Sequence, residues 1–216
     1  MKKLVIFDLD GTLLNTIADL AHSTNYALNK LGYPTHEIEK YNFMVGNGID
    51  KLFERALPEE EKSKENVLRV RKEFVPYYDI HNADDSRPYP GIPELLSYLQ
   101  NAGVQIAVAS NKYQAATQKL VDHYFPEIHF TAVFGQREGV KVKPDPIIVS
   151  DILEVAKVAK EEVLYVGDSG VDMQTAANAG VTPCGVTWGF RPRTELEEFN
   201  PSYIADTAGE IKKLIL

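Results

Sequence analysis

The chain has few of the features that would place it in several common protein classes. Its 216 residues include a single cysteine, Cys184, so no disulfide can form within the chain. This usage is typical of a reducing compartment. No apolar stretch approaches the ~20 residues of a membrane span, and the apolar run before Asp8 is too short for a secretion signal. We therefore expect a cytoplasmic protein without a membrane segment.

Positive charge is also scarce. Lysine and arginine total 23 against 31 aspartate and glutamate residues, a formal net charge of −8. This balance argues against a nucleic-acid or anionic-membrane partner. A small anionic substrate stays compatible with it, because a bound cation can reverse the local field. The five histidines have no metal-ligand spacing, so none is predicted to be functional.

Short β-rich apolar segments alternate with helical patterns along most of the chain. This alternation is typical of a parallel sheet flanked by helices. It predicts an α/β fold with a Rossmann-like parallel core. The predicted strands are 3–8, 104–110, 130–134, 162–168 and 182–188, with a short edge strand at 202–205.

One long segment departs from this alternation. Between residues 15 and 83 no β-like segment occurs, and "TIADLAHSTNYALNKLGY", "GIDKLFERAL" and "EEEKSKENVLRVRKEFVPYYDI" indicate helices. Thr16 and Asp19 are expected to cap the first of them. Residues 81–93 have the Gly, Pro and polar content of a linker. We predict an α/β core of 1–14 and 84–216, with a small α-helical cap (15–83) inserted after the first strand.

Two acids follow the first predicted strand, in "FDLDGT". Asp8 and Asp10 are two residues apart, so their side chains project to the same side of extended backbone, and Gly11 permits a sharp turn. Two like charges this close are unfavourable unless something binds between them. The alternative is a surface turn with solvated acids, for which Asp and Gly are common residues.

Polar residues also end two later strands. Asp168 and Asp172 lie in "GDSGVD", at a strand end and in the first turn of the next helix. Ser110 and Asn111 stand between a strand and a helical pattern, where free backbone N–H groups suit a phosphate. Simple helix capping is the alternative for both pairs.

A lysine precedes a proline in "KVKPDP". Lys143 stands before Pro144 at a predicted helix start, where a lone lysine is usually exposed to solvent. We expect such exposure for its neighbour Lys141. The order of all four motifs along one α/β pattern is more informative than any one of them.

These motifs together resemble the haloacid dehalogenase superfamily, in its phosphatase branch. The resemblance rests on "DLDGT" (8–12), Ser110, Lys143 before Pro144, and "GDSGVD" (167–172), and it extends over essentially the whole chain. The segments "FMVGNGIDKLFERAL" (43–57) and "VTWGFRPRTEL" (186–196) resemble phosphoglycolate phosphatase-like members.

The resemblance implies a mechanism and a cofactor. Asp8 is expected to be the nucleophile that forms an aspartyl-phosphate, and Asp10 the general acid and base. Lys143 is expected to offset the charge on Asp8 and the phosphate. Several carboxylates in one pocket need a hard cation, and oxygen ligands favour Mg²⁺. The expected metal ligands are Asp8, Asp10 (through its backbone carbonyl), Asp168 and Asp172. Asp172 is expected either to ligate the metal, directly or through water, or to orient Lys143. The expected phosphate-binding residues are Thr12, Ser110 and Asn111.

The leading candidate substrate is 2-phosphoglycolate, within the class of small phosphorylated metabolites. Cap residues are expected to select it: Gly46, Asn47, Gly48 and Lys51. Arg55 is a further candidate for binding a carboxylate. Lys51 and Arg55 are flanked by Asp50 and Glu54, which is also typical of a solvated helix face. Asn15 stands where the family often has Asp, and we expect a small effect on geometry.

Three other functions use similar residues. A β-phosphoglucomutase-like enzyme shares Asp8 and Asp10, but those mutases usually carry Val where this chain has Thr12. A pyrophosphatase or nucleotidase is a further enzymatic alternative. A phospho-accepting receiver module is the non-enzymatic one, and the helical insert argues against it. The oligomeric state is predicted as monomer or homodimer.

Overall fold

The computed structural model describes residues 1–215 and contains one six-stranded parallel sheet with helices on both faces. The order of strands in this sheet is β5-β4-β1-β6-β7-β8, and β2 and β3 form a separate antiparallel pair. The strands are β1 (Leu4–Phe7), β2 (Leu14–Asn15), β3 (Arg87–Pro88), β4 (Gln105–Tyr113), β5 (Ala132–Gln136), β6 (Val163–Gly167), β7 (Thr182–Val186) and β8 (Tyr203–Ala205).

The helices follow the predicted alternation. They are α1 (Ile17–Lys30), α2 (Ile49–Ala56), α3 (Lys64–His81), α4 (Ile92–Asn101), α5 (Gln114–Tyr124), α6 (Ile147–Ala156), α7 (Gly170–Ala179), α8 (Arg193–Glu198) and α9 (Ala208–Lys213). Short 3₁₀ turns lie at Ile38–Phe43, Glu59–Glu61 and Lys160–Glu162. Within the described part of the chain, no helix has the length and apolarity needed to cross a membrane. The predicted Rossmann-like α/β fold is confirmed.

The central strand determines where the polar residues meet. β1 is fully buried, as expected for an apolar strand covered on both faces. Its register aligns Phe7 with Val108 of β4 and with Val166 of β6. The carboxyl ends of the three strands therefore lie side by side, which is where ligands bind in open α/β sheets.

One boundary differs from the expectation in a way that affects the site. The strand predicted to end at residue 110 continues to Tyr113, with an irregular register between Ala109 and Tyr113. The expectation that Ser110 and Asn111 directly precede a helix is therefore wrong, since α5 begins at Gln114. Strand pairing of Tyr113 with Gln136 outweighs the helical pattern of the sequence there.

The helices α1, α2 and α3 pack around an apolar cluster of their own. Phe53 and Phe74 meet edge to face at 4.9 Å between ring centroids, and Phe74 stacks on Tyr78 at 5.0 Å. Almost all buried members of this cluster come from the inserted segment, with Ala116 of α5 as the exception. The division into core (1–14 and 84–216) and cap (15–83) stays a prediction that this packing supports.

The chain leaves and re-enters the core through two adjacent segments. Asn15 pairs with Arg87 in the β2–β3 ladder. The predicted caps of α1 are wrong, because both side chains have other partners. The Thr16 hydroxyl donates to Asp10 at 2.7 Å and makes no capping bond, while Asp19 accepts three hydrogen bonds from the returning segment 85–86.

Candidate active site

Lys143 joins two of the predicted acids in a buried ion-pair network. Its Nζ lies 2.9 Å from Asp8 Oδ1 and 2.7 Å from Asp172 Oδ1, and it donates to the Ala109 carbonyl at 2.9 Å. The side chain is only 2% exposed. Lys141, two residues earlier, has 82% of its side chain exposed, as predicted. Tertiary packing has thus buried one lysine of the pair and left the other in solvent.

Asp172 both takes part in capping a helix and contacts Lys143, two roles that the sequence offers as alternatives. Ser169 caps α7, and its hydroxyl donates to Asp172 Oδ2 at 2.6 Å within a capping box. The other oxygen, Oδ1, accepts from Lys143 and, at 3.2 Å, from the Tyr165 hydroxyl. One carboxylate therefore takes part in the start of the helix and fixes the position of Lys143.

Asp168 is held by the loop that follows β7. The backbone N–H of Phe190 donates to Asp168 Oδ2 at 2.7 Å, and the Thr12 hydroxyl lies 3.4 Å from Oδ1. The indole of Trp188 donates to the Thr12 carbonyl at 3.1 Å. These contacts orient the carboxylate towards Asp8 from the neighbouring strand end.

Three glycines leave room for these carboxylates. Gly11 has φ +84°, and a Cβ there would lie 2.3 Å from Asp168 Oδ2. A Cβ at Gly189 would lie 2.2 Å from the Asp168 Cβ, and one at Gly167 would lie 2.3 Å from the Asp172 Cβ. Such contacts are too close for any side chain, so the turn after Asp10 needs glycine for both its conformation and its space.

The acids form a donor set that fits a hard cation. Carboxylate oxygens of Asp8, Asp168 and Asp172 lie within 4.8 Å of one another, and all three residues are buried. Three buried carboxylates with one ammonium keep an excess of negative charge, and a set made only of oxygens suits Mg²⁺. The side chain of Asp10 lies outside this group, against Lys112 and Thr16.

Burial and mutual repulsion raise the pKa values of Asp8 and Asp168. Burial, followed by the charge of Asp172, raises the pKa of Asp8 to about 7 despite the opposing effect of Lys143. Burial, then Asp172 and Asp8, also raises the pKa of Asp168 well above its usual range. Burial alone lowers the pKa of Lys143, but Asp172 and Asp8 outweigh it and the pKa rises. A divalent cation among these groups would favour the ionised acids.

In the metal-free protein, the Asp8→Asn variant should gain stability relative to the wild type as the pH rises. The pKa of Asp8 is about 7 in the folded chain against 3.8 for an aspartate free in water, so the folded state holds this proton more tightly than the unfolded chain. Stability from this group is fully present below pH ~4 and is lost as the pH rises through ~7.

Melting temperatures in EDTA provide the measurement. The difference between variant and wild type should increase by roughly 5–10 °C between pH 5 and pH 8, because a shift of the Asp8 pKa from 3.8 to about 7 corresponds to ~2.5 kcal/mol over this interval. Saturating Mg²⁺ should reverse the trend for the wild type, because a cation that binds only the folded state stabilises it. A difference that does not change with pH would contradict the raised pKa.

Lys112 is a site residue that the sequence analysis did not identify. Its Nζ lies 3.0 Å from Asp10 Oδ2, and its side chain is 2% exposed. The other oxygen of Asp10 accepts from Thr16. A signal for it exists in the sequence, since Lys112 lies two residues after Ser110 in an extended strand and therefore projects to the same side.

Asn111, at the carboxyl edge of the sheet, contacts the cap loop (residues 44–48). Its Nδ2 donates to the Gly46 carbonyl at 3.0 Å and to the Lys143 carbonyl at 3.1 Å. Its Oδ1 accepts from the Lys143 backbone N–H at 2.8 Å. The Ser110 hydroxyl accepts from the Lys112 backbone N–H at 3.2 Å. The predicted contacts of Ser110, Asn111 and Thr12 with phosphate stay predictions.

The predicted cap residues fall into two groups. Gly46 and Gly48 line a cleft together with Asp8, Asp10 and Ser110. Asn47 and Lys51 have other contacts: the Asn47 side chain accepts from Arg55 at 2.8 Å, and Lys51 pairs with Glu54 at 2.6 Å on an exposed helix face. The solvated alternative therefore describes Lys51 in this structure, and its role in substrate binding stays a prediction.

Comparisons with known proteins agree with the geometry. Residues 5–186 match the family model of haloacid dehalogenase-like hydrolases. A phosphoglycolate phosphatase of Vibrio parahaemolyticus is 32% identical over 218 residues, covering 99% of this chain and 96% of that protein. One of Mesorhizobium japonicum is 32% identical over 205 residues, covering 94% and 90%. The crystal structure of a candidate phosphoglycolate phosphatase from Lactobacillus delbrueckii subsp. bulgaricus superposes with a TM-score of 0.93 at 34% identity, covering 100% and 99%.

Proposed function

Because the chain belongs to the haloacid dehalogenase-like hydrolase family and is a phosphatase of that type, we propose that it hydrolyses a small phosphate monoester through an aspartyl-phosphate on Asp8, with Mg²⁺ as cofactor. The leading candidate substrate is 2-phosphoglycolate, because the relatives from Vibrio parahaemolyticus and Mesorhizobium japonicum are named phosphoglycolate phosphatases. The observation that carries this proposal is the convergence of Lys143 with Asp8, Asp168 and Asp172.

Asp8 is the proposed nucleophile. It lies at the carboxyl end of the central strand and beside Lys143, which is 2.9 Å from Oδ1. An ionised carboxylate needs no separate base to activate it. Burial raises the pKa of Asp8, and a cation bound beside it would lower that pKa again and favour the ionised form. Lys143 balances the negative charge of Asp8 and of the phosphoryl group that approaches it.

Asp10 is the proposed general acid and base. It follows Asp8 on the same side of the chain and faces the cleft. In the first half-reaction it protonates the leaving alkoxide, and in the second it removes a proton from the water that hydrolyses the phosphoenzyme. Thr16 and Lys112 fix the two oxygens of its carboxylate, so its orientation is determined before a substrate enters.

Mg²⁺ at the acidic group would neutralise charge on the transferring phosphoryl group and allow an anionic nucleophile to approach it. Asp8, Asp168 and Asp172 are the proposed residues for holding it, with the side chain of Asp172 also engaged by Lys143. Thr12, Ser110 and the backbone N–H of Asn111 are proposed to bind the phosphoryl oxygens. A cytoplasmic location and a monomeric or homodimeric state stay predictions.

Purified protein assayed against a panel of phosphate esters tests the proposal. The panel contains 2-phosphoglycolate, an aryl phosphate, sugar phosphates, nucleoside monophosphates and pyrophosphate, each with Mg²⁺ and with EDTA. We expect release of phosphate from 2-phosphoglycolate that requires Mg²⁺. Isomerisation of a sugar phosphate without release of phosphate would indicate a mutase, and inactivity towards every ester would refute the proposal.

A further inference from the structure

The cleft above the catalytic residues contains a buried cation for which the proposed mechanism gives no substrate role. Lys112 lines this cleft, and it is the only cationic side chain to do so among residues 1–215. Its side chain is 2% exposed. A buried ammonium is costly to desolvate and is normally matched by anions, so the groups around it indicate what it binds.

Two groups contact the Lys112 ammonium and leave part of its hydrogen-bonding capacity unused. Asp10 Oδ2 lies 3.0 Å from Nζ, and the ring centroid of Tyr78 lies 4.8 Å from it. Tyr78 belongs to α3 and is fully buried, so this aromatic face is fixed by the cap helices. An ammonium has three N–H donors. One carboxylate and one ring face therefore leave donor capacity for an anion that enters the cleft.

The other cations near the cleft already have partners. Lys143 is engaged by two catalytic carboxylates, and Lys51 by Glu54. Arg55 donates to a carbonyl and a side-chain oxygen of the cap loop, and Arg191 donates to another carbonyl of that loop. Neither arginine lines the cleft.

The remaining walls limit the size and polarity of what binds beside Lys112. Leu20, Ile49 and Leu52 contribute apolar surface. The cap loop closes the cleft through the 3.0 Å hydrogen bond from Asn111 to Gly46. A sugar or nucleoside would place hydroxyls or ring nitrogens against this apolar surface, whereas a short carbon chain that ends in an acid matches both the apolar wall and the ammonium.

On the premise of the proposed function, we propose that Lys112 selects substrates whose leaving group carries a carboxylate, namely short phosphorylated hydroxy acids. The ammonium pairs with that carboxylate while the carbon chain contacts the apolar wall. Because both charges are shielded from water in the closed cleft, the pairing is stronger than at a surface. Lys112 is thus a specificity-determining residue as well as a neighbour of the general acid.

A matched pair of substrates separates selectivity from general catalysis. 2-Phosphoglycolate and ethyl phosphate share a two-carbon leaving group and differ in the carboxylate. The measured quantity is the ratio of their kcat/KM values. We expect the wild type to favour 2-phosphoglycolate and Lys112→Met to reduce this ratio by about tenfold or more, the range for loss of one partner of a buried charge pair. Lys112→Gln is measured in parallel in case the methionine variant does not fold.

One control variant, one variant of the rival residue Arg55 and three outcomes complete the test. Lys141→Met removes an exposed positive charge and should leave the ratio unchanged. Arg55→Met probes the other carboxylate-binding candidate, which lies in the cap. The inference is overturned if the wild type shows no preference, if Lys112→Met lowers both kcat/KM values equally, or if Arg55→Met reduces the ratio instead. An equal loss would make Lys112 a positioning residue for Asp10. If the wild type hydrolyses neither ester with Mg²⁺, the proposed function itself fails. The three outcomes above differ from this result, because in each of them the wild type is active.

Discussion

Asp8→Asn should reduce turnover of 2-phosphoglycolate and of an aryl phosphate by about a thousandfold or more while the protein stays folded. The amide has almost the shape of the carboxylate and can still accept from Lys143, but it is not a nucleophile. Loss of a group that forms a covalent intermediate removes an entire reaction path, which is why the expected effect exceeds that of a lost hydrogen bond.

Steady-state kinetics with Mg²⁺ and circular dichroism provide the measurement. Wild-type protein mixed with substrate and quenched rapidly should carry one phosphoryl group by mass spectrometry, and the variant should not. Asp122→Asn changes an exposed acid on α5 and is the matched control, with unchanged turnover. Retained activity in a folded Asp8→Asn variant would refute the nucleophile assignment.

Lys143→Met should affect both activity and stability. Methionine has a similar length but removes the ammonium that Asp8 and Asp172 share. Removing one partner of a buried ion pair costs ~3 kcal/mol or more, because a charge is left buried without its counterion. Turnover should fall by about a hundredfold or more, because no other cationic side chain among residues 1–215 pairs with Asp8.

The stability loss has a pH dependence that identifies its cause. The melting temperature in EDTA should fall by ~6 °C or more at pH 8. At pH 5 the loss should be smaller, because a protonated carboxyl needs no counterion. Mg²⁺ should restore part of the stability but not the activity. Lys141→Met is the control, since that side chain is 82% exposed. Equal losses for both variants would contradict the buried network.

Much of the site follows from where polar residues stand relative to apolar strands. Asp8 and Asp168 each follow a segment too apolar to be exposed, and parallel strands align their carboxyl ends. That reasoning predicts their proximity without any distance. It does not predict that one oxygen of Asp172 completes the capping box of α7 while the other accepts from Lys143, because the sequence offers capping and lysine binding as alternatives.

The capping predictions failed where a side chain had a stronger partner outside its own helix. Thr16 and Asp19 have the composition of a helix cap, yet one bonds Asp10 and the other bonds the returning segment 85–86. Gly167 and Gly189 lie in segments that carry the family resemblance, but no local pattern explains glycine there, because the need for it arises from the carboxylates packed against these positions. A capping pattern covers only a few neighbouring residues, so it cannot predict whether a side chain will instead bond a group outside that window.

The sequence alone determined the alternation of buried strands and helices, the insertion after β1 and the identity of the acids and of the lysine that meet at the sheet edge. Periodicity and the order of motifs are local properties, and a parallel sheet converts them into proximity by a general rule. Only the tertiary structure decided that Lys112 is buried against Asp10 and Tyr78, and that Lys51 faces solvent. Strand alternation indicates that Lys112 projects to the same side as Ser110. The burial and charge pairing of a lysine depend on which elements pack over it, and its neighbours in sequence do not encode that packing.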